Sequence, residues 1–124
     1  MKAAVSIACG ALLSGCQSVP PAYGEAAWQA LHAVDTAQTL HVARSPECYY
    51  ERAPLTRALV GAHPSEAEVA AVMLGYALLH RYLTEHLEGR WLRVYQATSF
   101  ISTARNVVRN HNIGLRPLGA GCGD

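Results

Sequence analysis

Ser65 and Glu68, three residues apart and directly after Pro64, have the spacing of a capping box. The hydroxyl accepts the third backbone N–H of a helix while the carboxylate reaches back to the cap's own N–H. Glu66 adds negative charge to the first turn, where the helix dipole favours it. The apolar run Val69 to Leu79 follows, and Glu88-Gly89 stops the helix at about Leu87. The segment from Arg90 to about Asn110 sets Trp91, Leu92, Val94, Tyr95, Phe100, Ile101, Val107 and Val108 among polar residues, which predicts a second helix turned back on the first as a hairpin. Upstream, residues 25–43 carry Trp28, Leu31, Val34, Leu40 and Val42 among alanines without Gly or Pro, and Ser45-Pro46 ends them. The expectation is an all-α, three-helix bundle in one domain, residues 25–124, whose second and third helices form the hairpin. Residues 44–64, with Pro46, Pro54, Gly61 and Pro64, read as a long connection holding a short helical turn around Leu55 to Val60.

Composition removes several functions. Ten Lys+Arg stand against nine Asp+Glu in 124 residues, so no bulk positive charge is present to hold a nucleic-acid backbone. With 51% hydrophobic and only 15% charged residues, disorder is excluded as well. The run Val69–Leu79 is eleven residues long. At ~1.5 Å each it covers about half a bilayer core, which reads as a buried helix before a membrane-spanning one.

At the start of the chain, Lys2 precedes a short apolar stretch ending in small residues, the layout of a secretory signal. Leu13-Ser14-Gly15-Cys16 resembles the lipobox of bacterial lipoproteins. The resemblance implies a signal peptide over residues 1–15, cleavage before Cys16, acylation of Cys16 with palmitate-type chains, and a lipidated tether over residues 16–24. Several acyl chains make a stable anchor. The expected location is therefore the bacterial cell envelope, facing the periplasm. Gln17 is not the Asp that retains such proteins at the inner membrane, so the outer membrane is favoured.

Cleavage would also change the arithmetic. Lys2 leaves, so nine Arg balance nine acidic residues, and Cys9 leaves while Cys16 carries lipid. Cys48 and Cys122 remain in an oxidising compartment, where two thiols pair as a disulfide, stay free, or join a His at a metal; pairing is the favoured expectation.

Polar residues recur at helical spacing. Asp35, Gln38 and Thr39 share a face of the first helix, with His32 one turn earlier. Glu51 lies in the long connection, His80 late on the second helix, and Asn106, Arg109 and Asn110 on one face of the third. Asp-x-x-Gln-Thr (Asp35, Gln38, Thr39), Tyr-Glu-Arg-x-Pro-Leu (Tyr50 to Leu55), Gly-x-His-Pro-Ser (Gly61 to Ser65), His80 and the Asn-rich last helix resemble a group of small uncharacterised bacterial and phage-associated membrane proteins. The similarity spans residues 35–112 and implies helical architecture and membrane contact but no reaction. Ala53 stands where that pattern carries Asn.

Two readings of these residues follow. In the first, Asp35, Gln38, Thr39, Glu51, His80, Asn106 and Asn110 form a hydrogen-bond network inside the fold. In the second, Asp35, Glu51 and His80 converge on a metal or small ligand, with hydrolysis in reach. No motif of nucleophilic, metal or phosphate chemistry is present, so no catalytic residue, cofactor or metal ion is expected. Trp28, Tyr76, Trp91, Tyr95 and Phe100 are expected in the core, with a membrane interface as the second choice for the Trp and Tyr rings, and His41, His63, His86 and His111 are expected to be solvated or capping residues. The function expected from sequence is that of a non-enzymatic, lipid-anchored envelope protein, structural or partner-binding. Its partners would be membrane lipid through Cys16 and an envelope protein.

Overall fold

The computed structural model of the chain describes residues 20–122. The lipobox, including Cys16, lies outside them. Four helices account for the described region, with no strand: α1 (Pro21–Arg44), α2 (Pro54–Val60), α3 (Glu66–His86) and α4 (Gly89–Asn112). The chain is all-helical as expected, but it has four helices rather than three, because the turn around Leu55 closes into a seven-residue helix. Pro54 presets its first turn, and Gly61 ends it at φ +81°, a conformation that favours glycine. The first helix also starts four residues before Glu25, since Pro21 at the N1 position needs no hydrogen-bond partner and has its φ already fixed. Part of the expected tether is thereby helical.

The capping box forms: the Glu68 N–H donates to Ser65 Oγ at 3.3 Å, and the Ser65 N–H donates to Glu68 Oε2 at 2.8 Å. The bonds that Glu68 Oε2 accepts from the Ser65 N–H and from the Ser65 hydroxyl, also at 2.8 Å, hold the Glu68 carboxyl below the usual carboxylate range. Only Leu87 and Glu88 separate α3 from α4, and Gly89 takes φ +55° to reverse the chain. The hairpin is present, yet its two helices touch each other far less than each touches α1. Helix α1 is therefore central, and a groove opens between α3 and α4 with α1 as its floor.

The tail packs back on the C-terminal end of α1. Leu115 is buried, His41 Nε2–H donates to the Gly121 carbonyl at 2.7 Å, and the Arg116 N–H donates to His41 Nδ1 at 3.0 Å. The Gly121 N–H donates to Ser45 Oγ at 2.6 Å. Cys48 and Cys122 are disulfide-bonded with Cα atoms 5.3 Å apart, closing the long connection onto the tail. His41 stands in the last turn of α1, a helix end as expected, but it is not solvated: it is 2% exposed and serves as the clamp for the tail.

Burial is distributed unusually. Among the described residues, the buried apolar ones are Trp28, Val42, Val69, Met73, Leu92 and Leu115, whereas nine buried residues are polar, including His32, Gln38, Thr39, Glu51, His80 and Thr103. Trp91 and Phe100, expected in the core, are 62% and 42% exposed. The face of α4 turned to α1 is occupied by Leu92, Gln96, Ser99, Thr103 and Asn110, so those aromatic rings fall on the outer side. No described helix is long and apolar enough to cross a membrane.

Candidate functional site: a polar groove over the first helix

The groove encloses a cavity of about 410 Å³, within the size range of small-molecule sites. Its floor is one face of α1: Trp28, His32, Asp35 and Thr39, spaced by three or four residues. Helix α3 supplies Met73, Tyr76 and His80; α4 supplies Ser99, Thr103, Asn106 and Asn110; the connection before α2 supplies Tyr50 and Glu51.

One end holds the acidic pair. Asn110 Nδ2 donates to Asp35 Oδ1 at 3.2 Å, and Thr39 Oγ1 donates to the Asp35 carbonyl at 2.9 Å. Glu51 is buried, fixed by its N–H donating to the Ala62 carbonyl at 2.8 Å and by Oε1 accepting the Ala53 N–H at 2.7 Å. Burial pushes the Asp35 carboxyl up to about 7, and the negative charge of Glu51 adds to the rise. An Asp35 carboxyl raised by burial and by a neighbouring negative charge favours a proton or a positively charged group beside it. Asn106 lines the same cavity one turn before Asn110.

Gln38, 1% exposed, faces the other way. Its amide N–H groups donate to the Val107 carbonyl at 3.2 Å and the Leu115 carbonyl at 3.4 Å, binding α1 to α4 and the tail. It supports the floor without lining the cavity. The Tyr76 hydroxyl, at the α3 wall, is buried without a hydrogen-bond partner.

At the other end stands a stacked column. The Trp28 indole lies on His80, with centroids 3.7 Å apart and planes 2° from parallel, and His32 covers its other side at 4.5 Å and 10°. Trp28 Nε1–H donates to Thr103 Oγ1 at 3.0 Å, and His32 Nε2–H to the Met73 carbonyl at 2.8 Å. His80 bridges three helices: Nδ1 is 2.6 Å from Glu25 Oε2 and Nε2 is 2.9 Å from Ser99 Oγ. Glu25 also accepts from Thr84 Oγ1 at 2.9 Å and from Gln29 Nε2 at 2.7 Å. Burial pushes the Glu25 carboxyl up, but the hydrogen bonds from Gln29, Thr84 and His80 outweigh it and keep the group ionised below its usual range. Burial lowers His80, and although Glu25 opposes it, the imidazole stays neutral near pH 7 with its proton on Nδ1 toward Glu25.

Carboxylate, imidazole and hydroxyl in line have the order of an acyl-transfer triad. The hydroxyl argues against that chemistry. Ser99 has one hydroxyl proton, for which the Tyr95 carbonyl at 2.8 Å competes with His80 Nε2, and the N–H groups around it are spent within α4, so no oxyanion site adjoins it. The column fastens three helices together.

Of the residues singled out by sequence, Asp35, Thr39, Glu51, Asn106 and Asn110 line one cavity, with His80 at its far end engaged by Glu25 and Ser99, and Gln38 behind the floor. Asp35, Glu51 and His80 all line this cavity, but their ligand atoms do not lie close enough to share one ion, and both ring nitrogens of His80 are engaged by Glu25 and Ser99. Glu25 and Ser99 were not readable as a pair with His80: separations of 55 and 19 residues follow no local spacing rule. Among the described residues, Glu47, Cys48 and Cys122 have ligand atoms close enough to share an ion, but both sulfurs are spent on the disulfide. No family model, curated protein or solved structure matches the chain.

Proposed function

We propose that this chain is a lipid-anchored bacterial envelope protein that binds, without transforming it, a small molecule carrying an amine or comparable N–H donors in the groove over α1. The observation that carries the reading is the pairing of Asp35 and Glu51 at a cavity open to solvent. An Asp35 carboxyl held near 7 beside the buried Glu51 gains most from a ligand that brings positive charge or donors, which lets Asp35 ionise. Asn106 and Asn110 add amides beside them, and Trp28, Met73 and Tyr76 supply apolar walls, the mixture expected of a small-molecule site. The envelope location rests on the lipobox, Leu13-Ser14-Gly15-Cys16.

The test is thermal unfolding of the purified protein against a panel of primary amines, guanidinium compounds and divalent cations at pH 7. A ligand that binds only the folded state at about 100 times its Kd adds about 2.7 kcal/mol. The expected result is a concentration-dependent rise in Tm with at least one organic cation, absent in Asp35→Asn and Glu51→Gln. A flat response to every amine and guanidinium compound, or a rise that survives both substitutions, would overturn the reading.

A further inference from the structure

Three exposed aromatic side chains stand at one end of the bundle: Tyr23 in the first turn of α1, Tyr82 near the end of α3 and Trp91 in the first turn of α4. That these helix ends lie together follows from two bridges, Thr84 Oγ1 to Glu25 Oε2 at 2.9 Å and Gln96 Nε2 to the Pro21 carbonyl at 2.9 Å. Arg90 lies over the Trp91 ring at 5.0 Å, and Arg93 follows on the same turn, whereas Arg81 is taken by Glu85. The described chain begins at this same end, at Pro20, four residues after Cys16. Even fully extended, those residues reach no more than ~14 Å.

We infer that this end of the bundle, presented by Tyr23, Tyr82 and Trp91 with Arg90 and Arg93, rests on the headgroup layer of the membrane that anchors the chain. The inference rests on the lipid anchor of the proposed function and adds an orientation to it. Trp and Tyr seek the interface because their rings are apolar and their polar tips remain hydrated. Arginines beside them meet anionic lipid phosphates with planar, multiple donors. An anchor within ~14 Å holds that surface against the bilayer at high effective concentration, so weak contacts suffice. With the hairpin end down, α1, α3 and α4 stand away from the surface, and the part of the groove lined by Asp35 and Glu51 lies away from the lipid.

The chain contains two tryptophans, and Trp28 is sealed between His32 and His80, so Trp91 alone is placed to report on lipid contact. The full acylated protein, reconstituted in phosphatidylethanolamine and phosphatidylglycerol vesicles, is compared with Trp91→Phe using lipids spin-labelled just below the headgroup. The expected result is quenching of the Trp91 share of the emission by about twofold or more, the response of a ring at headgroup level. A protein that floats with the vesicles but shows no quenching would overturn the orientation while leaving the anchor intact. Failure to float would remove the anchor and the orientation with it. Ile101→Trp in the Trp91→Phe background places a reporter on the exposed flank of α4. It is expected to escape the quencher; quenching equal to that of Trp91 would mean the bundle lies on its side and would overturn the end-on arrangement.

Discussion

Glu25 Oε2 sits 2.6 Å from Nδ1 of His80, joining the first turns of α1 to the last turns of α3. The contact sets an ionised carboxylate against the neutral imidazole that stacks on the Trp28 indole, and both groups titrate below their usual values. A depressed carboxylate pKa contributes stability that is present above the unfolded value near 4.5 and lost as pH falls through the folded one. Glu25→Gln is therefore expected to cost about 1–3 kcal/mol at pH 7, with the deficit shrinking in acid. Because Glu25 raises the His80 pKa against burial, its loss lowers that pKa further. Urea unfolding at two pH values and the imidazole resonances of His80 check both outcomes; an unchanged His80 midpoint would contradict the contact.

Asp35 acts in the opposite sense. Its folded pKa of about 7 exceeds the ordinary 3.8, so the folded state holds a proton that the unfolded chain has released. Stability falls as pH rises between those two values and stays reduced above about 7. Asp35→Asn keeps an acceptor for Asn110 and removes the penalty. The variant is expected to match the parent below pH 4 and exceed it by about 2–4 kcal/mol at pH 8, a range that allows for solvent reaching the carboxyl through the open cavity. Identical pH profiles in denaturant melts of the two proteins would contradict the burial of this charge.

The disulfide spans 74 residues of sequence and holds the tail against the start of the long connection. Replacing Cys48 and Cys122 by Ser is expected to cost about 4 kcal/mol in the loop-entropy description. Loss of the bridge leaves the tail to the hydrogen bonds of His41 and Ser45, so amide exchange at residues 116–121 is expected to accelerate beyond that of α3. Equal acceleration in α3 and the tail would show that the bridge supports the whole bundle rather than the tail.

Leu118 is the only described residue other than glycine with positive φ, at +60°, and it is 86% exposed. The left-handed conformation costs a branched side chain about 1 kcal/mol and this one has no packing in return. Leu118→Asn is expected to raise stability by about 0.5–1 kcal/mol, read from the midpoint of urea unfolding. A loss of stability would show that Leu118 is held by contacts of its own.

The helices and the hairpin were legible because their signals are local. Ser65 and Glu68 needed only a three-residue spacing, and Pro54 and Gly61 bracket the short α2 that sequence described as a turn. The convergence of Asp35 with Asn110 was partly legible, since helical spacing placed each on a shared face with its neighbours. What joins them is the docking of α4 on α1 across 75 residues, which no local rule encodes. Trp91 and Phe100 were misplaced for a physical reason. Ring size normally predicts burial, but the α1-facing side of α4 is filled by Ser99, Thr103 and Asn110, which bond to His80, Trp28 and Asp35. The burial of His41 was not legible either, because the tail that buries it lies 75–80 residues further on.

The pairing of Asp35 with Glu51 underlies the proposed binding groove, and the carboxyl carbon resonance of Asp35, followed from pH 3 to pH 9 in the parent and in Glu51→Gln, tests it most directly. The expected midpoint is about 7 in the parent and lower in the variant, since burial remains but the neighbouring charge is gone. A midpoint near 3.8 in the parent, or one that Glu51→Gln leaves unmoved, would contradict it.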